Sequence, residues 1–547
     1  MKKIISLILM AIMVISMVAC GPTGPVVPNP TDPTDPAQNY VPSYPIVNEK
    51  LVLQGVTYGA DPNKAGENTR SVWAEIEKYT NIKVEWTVLE SADALVTYLA
   101  GNEWPDIIHT KAELSSSLIN DYGIIGGRFV DWTQYLNVMP NLKKALADYP
   151  EALAKETLLN GEAYGLPRMN GASATGVVAR PYIRMDVLEK AGIKTLPKTT
   201  EEFYNCLKTL KAYYGEPGLI MDKAVNTSWA PLLFAAFGEL TRIGFDDNGN
   251  GEVVHTYSSN QMKEYYKFMN KLYKENLIHQ EFLTMNNTAK AGLVCKVDSG
   301  VAFLPSAAAQ GLTAAHLTDG NWDYLTCLAP LTSSFDSTQT LAGRYSLGAA
   351  SIYVSAQSEH VEEIMKMLDV SYATEEIVEG SGLYGMSFGY GSEGIGWTWN
   401  EDGTYAQNDG KSFGWNSYTE LQTMELIYYS TGRLDAWGVQ ATTAVGNARA
   451  RQLGFMEAVL PYQVTEHLFD ETMFKFTDDE QMILDNHLTE INTYDAEMYA
   501  AFITGAKNID TEWNTYVNTL KQMGINEIIE VYQAAYDRWN AALSSGK

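Results

Sequence analysis

The sequence predicts an α/β protein that opens on a parallel sheet and divides into more than one globular body. Two observations carry that prediction. Residues 51–110 read strand, helix, strand, helix, strand, the order that right-handed crossovers fold into parallel pairs. The chain has 547 residues, and a single core stops growing near about 250–300. With 46% hydrophobic and 19% charged residues the composition is that of a globular chain and not a disordered one.

LVLQGVTYGA (51–60) is a strand ending at Gly59. A helix around 68–79 places Val72, Ile76 and Tyr79 at helical spacing. NIKVEWTVLE (81–90) is the second strand, a helix follows near 92–101, and DIIHT (106–110) is the third strand. Ligands of such sheets sit beyond the carboxyl ends of the strands. Those ends are Tyr58 to Asp61, Glu90-Ser91 and His109-Thr110. Segments 127–137 and 139–150 read as loop and helix, 160–169 as a turn and short strand, and 177–192 as a strand running into a helix. LPKTTEEFYNCLKTLKAYYG (196–215) starts with Pro197, a capping Thr199 or Thr200 and two acids, a helix N-terminus. IGFDDNGNGEVVHTY (243–257) reads as a hairpin. In 261–278, Met262, Tyr265, Tyr266, Met269, Leu272 and Tyr273 form one stripe. Strands are expected at 297–306, 323–331 and 350–356, and a helix at 360–374. Residues 380–415 are Gly-rich and aromatic. From about 418 the chain is mostly helical, and its last helix (526–543) stacks Ile528, Tyr532, Ala535, Tyr536 and Trp539.

Before the folded body lie a basic start (Lys2, Lys3), an apolar run (Leu7–Cys20) and a Pro/Thr/Asp-rich stretch to about 46. The run has the length of a secretory signal and is short for a membrane span. Its end, Met17-Val18-Ala19-Cys20, resembles the bacterial lipobox, which makes Cys20 a lipidation site; an ordinary signal with an incidental Cys is the alternative. The Pro-rich stretch cannot form a core and reads as a spacer. The expected place of the protein is therefore the extracellular face of a membrane, held by lipid. A net charge of −27 repels nucleic acid, so no nucleic-acid partner is expected. Cys206, Cys295 and Cys327 are too few and too far apart for a disulfide framework.

Motifs for catalysis are absent or out of context. Gly385-Met386-Ser387-Phe388-Gly389 fits GxSxG without the strand and helix of a nucleophile elbow. Gly389 to Gly394 fits GxGxxG but opens no helix after a strand. The seven His form no metal cluster, and no cofactor is implied. Asp246, Asn248, Asn250 and Glu252 match half of a calcium loop, but its twelfth position is Tyr257 where a bidentate Glu is needed, so a plain turn is the stronger reading. What remains is aromatic: 33 Tyr, 12 Trp and 16 Phe. Rings at strand ends and in loops, flanked by planar polar groups, suit the C–H faces and hydroxyls of sugars. Core packing is the competing reading for each.

AGNEWPDII (100–108), NGEAYGLP (160–167), RPYIRMDVLEKAGIKTLPKTTEEFY (180–204), FMNKLYKENLIHQEFL (268–283) and the long C-terminal run 491–540 resemble the large extracellular solute-binding lipoproteins of carbohydrate ABC importers, related to alginate- and oligosaccharide-binding proteins. The resemblance implies a two-lobed type II periplasmic-binding-protein-like clamp with a helix-rich C-terminal part. It implies an N-terminal lobe of 47–178 plus 341–380, a C-terminal lobe of 179–340 plus 381–547, and crossings near 176–183, 340–350 and 375–385. The implied partners are a carbohydrate ligand, an ABC permease and the membrane, for a monomer without catalysis. The family's calcium loop is not matched, since EPGLIMDKAVN (216–226) lacks the ligand series. From position alone, the cleft is expected to draw on Tyr58, Glu90, Arg180, Tyr182, Trp229, Arg344, Tyr345, Glu393, Trp397 and Trp415. A polysaccharide-degrading surface enzyme and a peptide- or other-nutrient-binding clamp are the alternatives.

Overall fold

The computed structural model describes residues 40–59, 67–69, 71–169, 182–221, 229–245, 251–296, 298–305, 325–342, 347–385, 387, 397–399, 405–407, 459–464 and 469–545. β1 (Leu51–Tyr58) and β2 (Ile82–Leu89) pair in parallel along their whole length, from Leu51 opposite Ile82 to Tyr58 opposite Leu89. β3 (Ile107–His109) joins the other side of β1, also parallel. Successive side chains point to opposite faces, and an intervening helix covers each face. Helix Ser71–Thr80 sets Val72, Trp73 and Ile76 among Leu53, Val84, Trp86 and Ile107. Helix Ala92–Leu99 sets Leu95 and Leu99 among Val56 and Ile108. Gly55 lies beneath Trp86 of the neighbouring strand, where a Cβ would stand 2.6 Å from the indole. Its missing side chain is what lets that ring lie across the sheet.

A fourth strand, Ile352–Val354, pairs antiparallel with β3, Ile352 opposite His109. The sheet is therefore parallel in three strands, with one antiparallel edge supplied from far downstream. Helix Val361–Asp369 then packs Ile364, Met365 and Leu368 into the same core as Leu53 and Trp86.

A second, larger core forms around Tyr182–Arg184, which lies antiparallel between Phe303–Leu304 and Leu325–Thr326. Helix Thr200–Tyr214 is capped by Thr199, which accepts from Glu202 N at 3.1 Å, and ends at Gly215 with φ +74°. Ile243–Phe245 and Val253–His255 form the antiparallel hairpin. In helix Asn260–Lys274 the stripe from Met262 to Leu272 is buried, and Tyr273 packs at its margin. The C-terminal helices Asp478–Thr504, Ile509–Gln522 and Ile525–Ser545 complete this core; Thr477 and Glu480 form a capping box at the first. Asp495, mid-helix and 4% exposed, is surrounded. His255 Nε2 stands 3.0 Å from Oδ2, the Tyr516 hydroxyl donates to Oδ1 at 2.7 Å, and Arg242 lies 3.5 Å away.

Among the described residues, and apart from helix Pro150–Glu156, which both cores share, the chain passes from one core to the other three times. Met169 belongs to the first and Tyr182 to the second; Leu341 belongs to the second and Ile352 to the first; Leu383 belongs to the first and Val459 to the second. Two lobes built from interleaved segments make a type II clamp, with the two longest described helices, Asp478–Thr504 and Ile525–Ser545, near the C-terminal end.

Candidate functional site

The carboxyl edge of the first sheet is the natural place for a ligand in this architecture. β1 ends on Tyr58, which is half-buried, and Gly59 turns away with φ +71° after its N–H bonds Leu89 O at 2.7 Å. Beyond β2, Glu90 is exposed, and Ser91 caps the next helix through Ala94 N at 3.2 Å. Beyond β3, Thr110 is buried and tied to Ser351 O through its backbone N–H at 2.8 Å. Lys111 then adopts φ +56°, a left-handed conformation that costs a non-glycine residue on the order of 1–3 kcal/mol and concentrates at functional positions. That turn folds its side chain back over the edge. Its Nζ donates to Gly59 O at 3.0 Å and stands 5.5 Å from the centre of the Tyr58 ring. An aromatic face, an ammonium and a carboxylate thus share one rim.

Behind the rim two polar atoms are buried without a hydrogen-bond partner, Thr57 Oγ1 and Trp86 Nε1. The Trp86 backbone is held from outside the sheet. Asn68 accepts from Trp86 N at 2.7 Å and donates to Trp86 O at 2.9 Å, copying a strand neighbour with its side-chain amide. Trp86 also meets Trp73 and His109, with ring centres 5.3 and 6.3 Å away.

The other expected cleft residues fall in three groups. Tyr182 and Trp229 are core residues. Tyr182 is buried in the central strand of the second sheet, and Trp229 is 0% exposed, stacked on Phe203 at 5.9 Å and edge-on to Phe303 at 5.5 Å. The second lobe is rich in aromatic residues, and these two rings fill its interior with no face open to a solute. Trp397 lies in a strand, Trp397–Trp399, paired antiparallel with Tyr405–Gln407. Arg180, Arg344, Tyr345, Glu393 and Trp415 lie outside the described residues, as do Asp246, Asn248 and Asn250; Glu252 is exposed beside the hairpin. Ser387 of the GxSxG match is buried, its Oγ accepting Tyr384 N at 3.2 Å. Lys111 escaped the sequence reading because nothing in His109-Thr110-Lys111 announces a left-handed turn.

A clamp of two α/β lobes with a polar strand-end rim defines a solute-binding protein. The profile of the bacterial extracellular solute-binding proteins matches residues 59–377, and the chain belongs to that family. It binds a solute and is not an enzyme. It is 24% identical over 534 residues to the fructooligosaccharide ABC transporter substrate-binding protein FusA of Streptococcus pneumoniae serotype 4, spanning 91% of this chain and 92% of FusA. It is 28% identical over 253 residues to lipoprotein LipO of Bacillus subtilis, spanning 44% of this chain and 47% of LipO. Its fold matches that of an extracellular solute-binding protein from Bifidobacterium longum subsp. infantis with a TM-score of 0.71 at 19% identity, covering 90% and 98% of the two chains.

Proposed function

We propose that the protein captures an oligosaccharide between its lobes and delivers it to an ABC permease, as a monomer held at the extracellular face of the membrane by lipid on Cys20. The observation that carries the carbohydrate reading is the end-to-end similarity to FusA. The Tyr58–Lys111–Glu90 rim fits that reading: a ring to stack on a pyranose or furanose and charged groups to bond its hydroxyls. The lobe boundaries we propose are 47–178 with 341–380, and 179–340 with 381–547. The three changes of core support them. Arg180, Arg344, Tyr345, Glu393, Trp397 and Trp415 remain the proposed partners of Tyr58 and Glu90. The similarity to LipO supports the lipid anchor.

A thermal-shift panel of fructooligosaccharides, other glycans and peptides tests this. Ligand at a hundredfold over its Kd adds about 2.7 kcal/mol of stability. A shift with a peptide and none with any glycan would replace carbohydrate by peptide. New reducing ends on prolonged incubation would contradict a binding protein altogether. A Cys20→Ala protein binds its ligand normally in solution and fails to support uptake by cells; normal uptake refutes the anchor's role.

A further inference from the structure

Away from the rim, four charged side chains meet where the lobes touch. Helix Pro150–Glu156 is wedged between them: Ala152 belongs to the first core, Ala154 to the second, and the helix packs on Ile525–Ser545. The next two residues of the helix, Lys155 and Glu156, are 3% and 5% exposed and pair at 2.9 Å. Lys155 also lies 3.6 Å from Glu113, and Glu113 accepts from Lys475 Nζ at 3.1 Å. The four form an alternating chain with no net charge.

The ends of that chain belong to different lobes. Glu113 follows β3, and its neighbour Leu114 packs beside Val56 and Ile108 and donates its N–H to the Tyr353 hydroxyl at 3.2 Å. Lys475 lies between Phe474 and Phe476. Phe474 packs on Tyr536 and Trp539, Phe476 packs on Tyr532, and Arg538 donates to Lys475 O at 3.1 Å. Both ends are therefore fastened to their own lobe before they reach each other.

An isolated surface ion pair contributes little. This one continues into a buried pair, where burial outweighs Lys155 and pushes the Glu156 carboxyl up, while Glu113 and Lys155 are favoured in their charged forms. Burial pushes the Glu113 carboxyl up, but Lys475 and Lys155 outweigh it and hold its pKa below the usual value. Burial pushes the Lys155 ammonium down, and Glu156 and Glu113 reverse it. Removing one charge strands its neighbours in a site where an unpaired charge is unfavourable.

We propose that Glu113 and Lys475, seeded by the buried Lys155–Glu156 pair, form an ionic strut between the lobes that fixes their spacing in the ligand-free protein and so sets how readily the clamp takes up its ligand. This rests on the two-lobed reading above. A clamp whose competent spacing is only partly populated binds more weakly by that fraction, so a strut here tunes affinity without touching ligand.

The test reads interlobe distance without ligand. Spin labels at Asn102 and Asn514, exposed positions in the first and second lobes, are introduced into a Cys20→Ala, Cys295→Ser background of the full chain. Lys475 is only 22% exposed but lies at the boundary, so Lys475→Met removes the charge while keeping most of the apolar stem. The expected result is a shift of about fivefold or more in the ratio of interlobe separations. Glu113→Gln gives the same shift. Raising salt from about 0.1 M to about 1 M, which shortens the screening length from about 10 Å to about 3 Å, moves the parent protein in the same direction and the variants less. Lys78→Met, which breaks a pair with Glu75 inside the first lobe, moves nothing. Lys475→Gln stands in should Lys475→Met melt early. Parent-like distances in folded Lys475→Met (or its substitute) and Glu113→Gln overturn the proposal. No ligand enters the measurement, so failure of the carbohydrate reading shows only in the thermal-shift panel.

Discussion

The rim of the first lobe and the centre of the second use the same kinds of side chain in opposite states. Around Asp495 an imidazole, a phenol and a guanidinium close on one carboxylate, and all are wholly or largely withdrawn from water. At the rim the Lys111 ammonium lies over the Tyr58 ring and bonds Gly59 O, while the Glu90 carboxylate stands exposed at the end of the neighbouring strand. Lys111 is held in a left-handed backbone, Tyr58 is half-buried, and Glu90 is exposed. A closed polar set holds the parts of a lobe in register. An open one leaves groups for a solute. The difference lies in which bonds are already made, not in residue type.

The largest effect that can break this comparison comes from the closed set. Asp495→Ala leaves His255, Arg242 and Tyr516 buried around an empty position and lowers stability by about 3–5 kcal/mol, read as the denaturation midpoint. A cost near that of a surface substitution would mean the network is not closed. Next is a contrast in pH dependence. Burial pushes the carboxyl of Asp369, in the first lobe, up to about 7, although the backbone N–H groups of Leu142 and Asn141 and the Asn141 side chain bond it. The folded state then holds a proton that the unfolded chain releases, so the stability Asp369 contributes falls as pH rises from about 4 to about 7. For Asp495 burial also pushes upward, but the hydrogen bond and charge of His255, with Tyr516 and Arg242, outweigh it and lower the pKa. Its contribution is present above about pH 4 and is lost as pH falls through the lowered folded value. Melting temperatures of Asp369→Asn therefore diverge from the parent's across pH about 4 to 7, while those of Asp495→Asn run parallel to it there. The smallest effect sharpens the open side. Tyr58→Ala leaves the melt nearly unchanged and weakens ligand binding by about tenfold, the worth of one aromatic face, measured by titration calorimetry with the ligand found in the panel. A stability loss without an affinity loss would make Tyr58 a core residue.

Much of this was legible in the chain itself. The apolar run LVLQGVTY ending at Gly59, the Thr199-Thr200 cap signal and the stripe from Ile528 to Trp539 each state a local rule, and each element formed where the rule put it. What local rules could not give is long-range. The antiparallel edge Ile352–Val354 depends on a register with residues far upstream. Trp229 and Tyr182 looked like cleft residues because an aromatic at an element's start reads the same in a core as in a cleft. Nothing local in the sequence marks Lys155 and Glu156 as buried, and it is between two cores that they are enclosed. The Trp86 indole across Gly55 was hidden for the same reason: the glycine's role lies on the next strand.

The late arrival of Ile352–Val354 has a consequence for how the molecule is made. A chain synthesised from its N-terminus presents β1, β2 and β3 first, yet β3 gains its second neighbour only after Val354 has emerged. By then the first of the two segments proposed for the second lobe, 179–340, has emerged. Until that moment Ile107 and Ile108 offer an unpaired, apolar edge to any passing strand. The first lobe is thus unable to finish until residues 179–340 have followed it, and the interleaving that makes a clamp also ties the maturation of its halves together.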